Sequence, residues 1–304
     1  MNVALHGILP VLKPKGWTSH DVVAFVRRLS KQKKVGHTGT LDPEVEGVLP
    51  LCLGKATRVA EYLQERPKRY RGSLVLGIST DTEDQTGQVL EKKAVSGVSR
   101  EQVEEVFRRL VGEIVQTPPM YSAVKVGGKK LYELARAGKE VERPVRRVTV
   151  YKLMLVDMVP GEFPEIHFDV LCSKGTYIRT LCVDIGKALG FPAHMNRLVR
   201  TQSGPVSLED CLTLSEVEAL ARSGDWSRGI MPMDACLGHL PAVVVAEEET
   251  GRVLDGMSLV ADACDLFRVG QIVRVYSESG TFLALCRMDS NGVFKPEKVF
   301  RDVE

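Results

Sequence analysis

The feature that most constrains this chain is a change of texture near residue 236. Before it, apolar residues recur with helical and strand periods in turn. Ser19 stands as a helix N-cap ahead of Val22, Phe25, Val26 and Leu29, which share one helical face. Ser99 and Gln102 have the spacing of a capping box before Val103, Val106, Phe107 and Leu110. A third helix is predicted from about Ile178 to Leu189, stopped by Gly190. Tyr70–Ile78, Arg147–Met158 and Glu165–Cys172 read as strands, rich in β-branched and apolar residues. This order is no regular βαβ repeat, so the expected class is α/β (α+β), a sheet with helices packed on it.

After Met233-Asp234 the pattern shortens. Ala242–Ala246, Gln271–Tyr276 and Thr281–Cys286 are strand-length runs, and Ser279-Gly280 and Asn291-Gly292 are turn pairs. A small β-barrel or sandwich is expected there. At 304 residues the length prior gives about two domains, drawn here as 1–236 and 237–304.

Composition narrows the class. Hydrophobic residues make up 44% and charged residues 26%, as in globular proteins, which argues against wholesale disorder. No apolar run reaches the roughly 18 residues a membrane helix needs, and Pro10, Lys13 and Pro14 interrupt the N-terminal apolar stretch where a signal peptide would lie. The seven cysteines (52, 172, 182, 211, 236, 264 and 286) lack C-x-x-C spacing, so reduced thiols in a cytoplasmic protein are expected. No His/Cys cluster suggests a metal, and no cofactor is expected. The net charge of +2 hides a division: +6 over residues 1–239 (34 Lys+Arg, 28 Asp+Glu) and −4 over 240–304 (7 against 11). Residues 125–147 hold eight basic and three acidic residues, a local excess able to neutralise phosphates, or simply a solvated basic face.

Four stretches can carry chemistry. In Gly36-His37-Thr38-Gly39-Thr40-Leu41-Asp42-Pro43 the glycines permit positive φ, and Pro43 biases Asp42 towards an extended conformation on a loop. Such a carboxylate can act as nucleophile or stabilise an oxocarbenium-like centre, although Asp-Pro also simply initiates turns. In Cys172-Ser173-Lys174-Gly175-Thr176-Tyr177-Ile178-Arg179-Thr180 a strand ends and a helix begins, placing an arginine fit to orient a carboxylate or to cap the helix. Lys68-Arg69-Tyr70-Arg71 sets an aromatic among cations, suited to a nucleobase and its phosphates or to ordinary half-buried packing. Met120-Tyr121-Ser122-Ala123-Val124-Lys125 through Gly128-Lys129-Lys130-Leu131-Tyr132 is basic and glycine-punctuated, without P-loop spacing.

In this order and spacing the motifs resemble the TruB family of tRNA pseudouridine-55 synthases. Lys13-Pro14-Lys15-Gly16-Trp17-Thr18-Ser19 and Thr80-Asp81-Thr82-Glu83-Asp84 join the four stretches, and the match covers residues 8–235. The resemblance implies a mixed, largely antiparallel catalytic sheet with flanking helices and a cleft across it. It implies Asp42 as the catalytic aspartate, Tyr70 stacked on the target base and Arg179 paired with the aspartate. His37, Tyr177 and Leu198 match positions around the flipped nucleotide, and Lys13, Lys129 and Lys130 join them as expected substrate contacts. Residues of about 121–147 match an insertion that closes over the tRNA T-arm, and the C-terminal part looks like a PUA RNA-binding domain. The implied reaction isomerises uridine to pseudouridine, with Asp42 attacking C1′, adding to C6 or serving a glycal-like route. The expected partner is tRNA, bound by a monomer without guide RNA. The competing readings are a non-catalytic RNA-binding protein and a guide-RNA-dependent synthase.

Overall fold

The computed structural model describes residues 4–139, 141–260 and 266–301; Cys264 lies outside them. The chain opens with strand β1 (Gly7–Lys13), helix α1 (Ser19–Ser30), the short β2 (Val35–His37) and β3 (Glu46–Leu53). A 3-10 turn (Gly54–Val59) leads into α2 (Ala60–Gln64) and β4 (Lys68–Leu76). A side hairpin, β5 (Ile78–Thr80) and β6 (Val89–Lys92), precedes α3 (Arg100–Arg109) and β7 (Gly112–Gln116). The hairpin β8 (Lys125–Val126) and β9 (Lys129–Lys130) runs into α4 (Leu131–Arg136), followed by β10 (Arg146–Val159) and β11 (Glu165–Cys172). Then come α5 (Ile178–Leu189), β12 (Ala193–Ser203), β13 (Val206–Ser207) and α6 (Leu214–Ser223).

The main sheet runs β1-β3-β12-β4-β11-β10-β7, with β2 against β3 and β13 against β12. Every pairing is antiparallel except β3 with β12, which meet at Glu46 and Gly47. Gly47 has φ +118°, and a Cβ there would lie 2.3 Å from the Arg200 carbonyl oxygen, so this parallel junction requires glycine. Helices α3 and α5 cover one end of the sheet through Val103, Phe107, Leu181 and Ile185 against Phe168 and Val170. Helices α1 and α6 cover the other through Val22, Val26 and Val217 against Leu9, Val11 and Leu51.

For the three helices and three strands of the first part read from the sequence, the signals locate the elements to within a residue or two. The Ser99–Gln102 capping box is present, and Gly190 ends α5 in a left-handed conformation. The cap of α1 is corrected: it is Thr18, whose extended backbone and hydroxyl meet the Asp21 N–H at 3.0 Å while Asp21 Oδ2 accepts from Thr18 N at 2.8 Å. Three residues beyond Ser19 stands Val22, which cannot reciprocate. Ser19 is instead buried in the first turn, where its Oγ accepts from Leu41 N at 2.9 Å.

The C-terminal part holds β14 (Ala242–Val245), α7 (Thr250–Leu254), β15 (Ile272–Ser277), β16 (Phe282–Met288) and β17 (Phe294–Val299), a four-stranded sheet in that strand order. A cluster that includes Val48, Cys52, Tyr62 and Leu63 from the first part and Leu285 and Phe300 from the second joins the two sheets. Tyr62 donates to Glu297 Oε1 at 2.9 Å, and Lys298 pairs with Glu61 at 2.9 Å.

Candidate active site

A cleft of about 440 Å³ opens where the β2–β3 loop, β4, β12 and the start of α5 converge. Asp42 lies on its wall in an irregular loop, and the Asp42 carbonyl accepts from Val45 N at 3.0 Å. The aspartate therefore both starts a turn and presents its half-exposed carboxylate to the cleft. Of the two loop glycines only Gly39 has positive φ (+151°); Gly36 lies in β2.

The loop is tied down on three sides. Ser19 holds Leu41 through two hydrogen bonds, at 2.9 and 3.3 Å. Fully buried Lys13 donates to the carbonyls of Pro14 (2.9 Å), Trp17 and Pro43 (3.2 Å). Buried Arg200 donates Nε to the Val48 carbonyl at 2.7 Å and Nη2 to the Gly39 carbonyl at 3.1 Å, linking loop to sheet. Because the anchors are side chains reaching backbone oxygens, the loop keeps its shape without regular secondary structure.

Arg179, in the first turn of α5, is buried and faces the carboxylate: Nη2 lies 3.0 Å from Asp42 Oδ2. The same guanidinium donates to the Tyr121 carbonyl (2.8 Å) and the Thr82 carbonyl (3.1 Å), and approaches Asp84 Oδ2 at 3.9 Å. Asp84 is itself held by Thr82 Oγ1 (2.7 Å), Thr86 N (2.9 Å) and Thr86 Oγ1 (2.6 Å). One arginine thus joins the aspartate, the β5–β6 turn and the root of the 121–147 insertion. Tyr177, at the N-cap of α5, is fixed by buried Gln116, whose Nε2 donates to the Tyr177 carbonyl (3.2 Å) and whose Oε1 accepts from Tyr177 N (3.0 Å).

Electrostatics follow from this burial. Burial lowers Lys13 to about 8, with Asp42 opposing the shift, and lowers Lys68 to about 8, with Arg200 adding to it. His37 is lowered to about 4 by burial, reinforced by His20 and Arg200, so its ring is neutral at pH 7; its Nδ1 accepts from Gly39 N at 3.2 Å. Burial raises the Tyr70 phenol, and Arg200 opposes that rise. An accessible carboxylate, a neutral imidazole, a phenol and apolar walls from Val45, Met195 and Leu198 make a pocket for a flat polar ring.

Comparison with known proteins decides the family. The family model described as TruB family pseudouridylate synthase (N terminal domain) matches residues 27–178. The tRNA pseudouridylate synthase B C-terminal domain matches 179–238, and the C-terminal model of pseudouridine synthase II TruB matches 241–300. The chain belongs to the TruB family. A TruB relative from Geobacillus thermodenitrificans, named tRNA pseudouridine synthase B, is 51% identical over 98% of this chain and 100% of its own length. Another of that name, from Bacillus subtilis, is 48% identical over 97% of both chains. Among solved structures, a chain of a Cbf5-Nop10-Gar1 complex superposes with a TM-score of 0.74 at 30% identity, over 97% of this chain and 85% of that one. The catalytic sheet is that of a pseudouridine synthase, and the chain is an enzyme of that class.

Within this TruB fold the cleft brings together Asp42, Tyr70, Arg179, His37, Tyr177 and Leu198. Lys13, expected at the substrate, has no exposed surface and donates to the Pro43 carbonyl beneath the aspartate loop. Lys129 and Lys130 are on β9 and do not line the cleft; Lys130 Nζ lies 5.3 Å from the centroid of the Tyr132 ring. Sequence reasoning missed Arg200, Gln116 and Ser19 in these roles. Arg200 had a usable signal, since it follows Leu198 by two residues on a strand and so shares its face. Gln116 and Ser19 had none, because their partners are backbone groups 61 and 22 residues away.

Proposed function

We propose that this enzyme isomerises uridine to pseudouridine at position 55 in the T-loop of tRNA, with Asp42 as the catalytic group. The observation that carries the reading is the Asp42 carboxylate, open to the cleft and held at 3.0 Å by a buried arginine. The names of the relatives at 48–51% identity support tRNA as substrate.

The target base must first leave its stack, at a cost of a few kcal/mol offset by the pocket. Tyr70 and Leu198 line the walls that would receive it, and neutral His37 supplies a polar edge without adding positive charge. Asp42 then acts at C1′, at C6, or on the ribose in a glycal-like route. In each route the C1′–N1 bond breaks, the uracil turns, C1′ joins C5, C5 loses a proton and N1 gains one. Atoms and electrons balance without an oxidant or phosphate donor. Tyr70, which lines the same cleft, either relays the C5 proton or serves only to stack on the base. The basic 121–147 insertion, rooted on Arg179 through Tyr121, closes over the T-arm and makes the enzyme self-sufficient, without guide RNA, as a cytoplasmic monomer. Residues 1–236 carry the chemistry and 237–304 serve as an auxiliary RNA-binding domain.

Purified protein is incubated with unmodified tRNA and no other RNA, and pseudouridine is measured at position 55. Wild type should convert it, and Asp42→Asn should bind tRNA but show no turnover. Wild-type-like rates in the variant would remove Asp42 from the mechanism. Activity appearing only with an added guide RNA would favour the reading as a guide-RNA-dependent synthase.

A further inference from the structure

The seam between the two sheets holds a second groove, of about 570 Å³, apart from the cleft. Lys33, Lys34, Lys55 and Arg58 line it from the first part and Arg301 from the second, and among the described residues no carboxylate does. On a chain with a net charge of only +2, exposed Lys33 and Lys34 beside Arg58 concentrate positive charge on this groove, while Arg301 is paired with Asp255. Arg58 is held by the Val299 carbonyl, with its guanidinium 5.5 Å from the Phe300 ring centroid. Arg301 is held by the Leu254 carbonyl at 2.6 Å and by Asp255. Lys33 and Lys34 are exposed, and their backbone carbonyls accept from Val35 N at 3.0 Å and Gly54 N at 2.8 Å.

Two features connect this groove with the substrate track. Lys34 immediately precedes β2, and His37, which ends β2, lines the cleft. Three residues of extended chain span roughly 10 Å, so groove and cleft are joined by one short strand. The strand order also sets the groove beside the β1–β3 edge, whereas the basic insertion leaves the sheet between β7 and β10 at the opposite edge. Six inter-strand steps of about 4.8 Å separate those edges by about 29 Å along the sheet. The cleft, over β4 and β12, lies between them.

We propose that this groove holds backbone phosphates of a second stretch of the same tRNA, on the far side of the cleft from the insertion. The proposal rests on the tRNA reading above and adds a second binding region to it. It also gives the acidic C-terminal part a physical role. Residues 240–304 carry −4 and repel a polyanion as a whole, yet they supply the wall against which lysines of the first part form a cationic channel. RNA would be drawn to the seam and kept off the outer face of the C-terminal sheet.

The test uses the full chain and the double variant Lys33→Gln/Lys34→Gln, with Lys33→Arg/Lys34→Arg as the charge-preserving control. Binding to full-length unmodified tRNA and to a T-arm hairpin is measured across a salt series, with single-turnover conversion of each. The glutamine variant should bind tRNA several-fold more weakly, with a log–log salt slope reduced by about 0.7–0.9 for each phosphate no longer neutralised. Its hairpin affinity and conversion should match wild type, and the arginine variant should behave as wild type on both. An unchanged affinity and slope on tRNA overturns the proposal. An equal loss on the hairpin also overturns it, because the lysines would then belong to the T-arm footprint. Wild type converting neither RNA would refute the tRNA reading itself, before any variant is compared.

Discussion

Replacing Arg179 by lysine keeps the charge and removes the fork. The guanidinium reaches Asp42, the Tyr121 and Thr82 carbonyls and, more distantly, Asp84 from four directions. An ammonium has three N–H donors on a single nitrogen and cannot span this set, so at least one of these partners goes without its donor. A hydrogen bond from a charged group contributes about 1.5–3 kcal/mol, and each ~1.4 kcal/mol lost from the transition state costs about tenfold in rate. Arg179→Lys should therefore slow pseudouridine formation by roughly ten- to a hundredfold. Arg179→Met is the poorer experiment: it also strips the Tyr121 and Thr82 carbonyls of their charged donor, at about 1–3 kcal/mol for each buried group left unsatisfied, so lost stability would mask the effect on rate. The assay is single-turnover conversion with enzyme in excess, alongside equilibrium binding of the same RNA. A variant with the wild-type rate and affinity would mean that Arg179 only braces the fold.

Arg200→Met leaves the Val48 and Gly39 carbonyls without their charged donor, and should lower stability by about 2 kcal/mol in urea titrations while slowing turnover; unchanged unfolding would show that water replaces the guanidinium. His37 carries a folded pKa of about 4 against an ordinary 6.5, so the unfolded chain binds more protons between those values. Its contribution is complete above pH 6.5 and fades as pH falls towards 4, and His37→Gln should flatten stability against pH in that window; parallel curves would contradict the assignment. Lys129→Gln/Lys130→Gln should weaken binding of the T-arm hairpin and of full-length tRNA alike, with the salt slope falling by about 0.7–0.9 per phosphate released. An unchanged slope would leave that hairpin facing solvent.

Elements whose cause is local were legible in the chain. Ser99 and Gln102 cap α3 through groups three residues apart, and Gly190 ends α5 by its own conformation. Asp42, Tyr70 and Arg179 were legible only together, through the order and spacing of their motifs. The surroundings of Lys13 were not legible from its motif. That motif made it an expected substrate contact, and in the fold the carbonyls of Pro14, Trp17 and Pro43 take its ammonium group out of solvent. The anchors Arg200, Gln116 and Ser19 depend on contacts between distant segments, which no local periodicity records.

The apolar cluster shared by the two sheets bears on how the molecule comes apart. Tyr62 and Leu63 of α2 share that cluster with Leu285 and Phe300, and α2 also ends at Gln64 on the cleft wall. Loss of the C-terminal sheet would bare that side of α2 to water, so its undocking and the slackening of the cleft are a single event. Heating should accordingly melt both parts in one calorimetric transition, and hydrogen exchange in α2 and β17 should be protected to the same depth. A chain built this way cannot trade its C-terminal sheet for another by splicing at residue 236 alone. Any replacement would have to bring its own counterparts of Leu285 and Phe300.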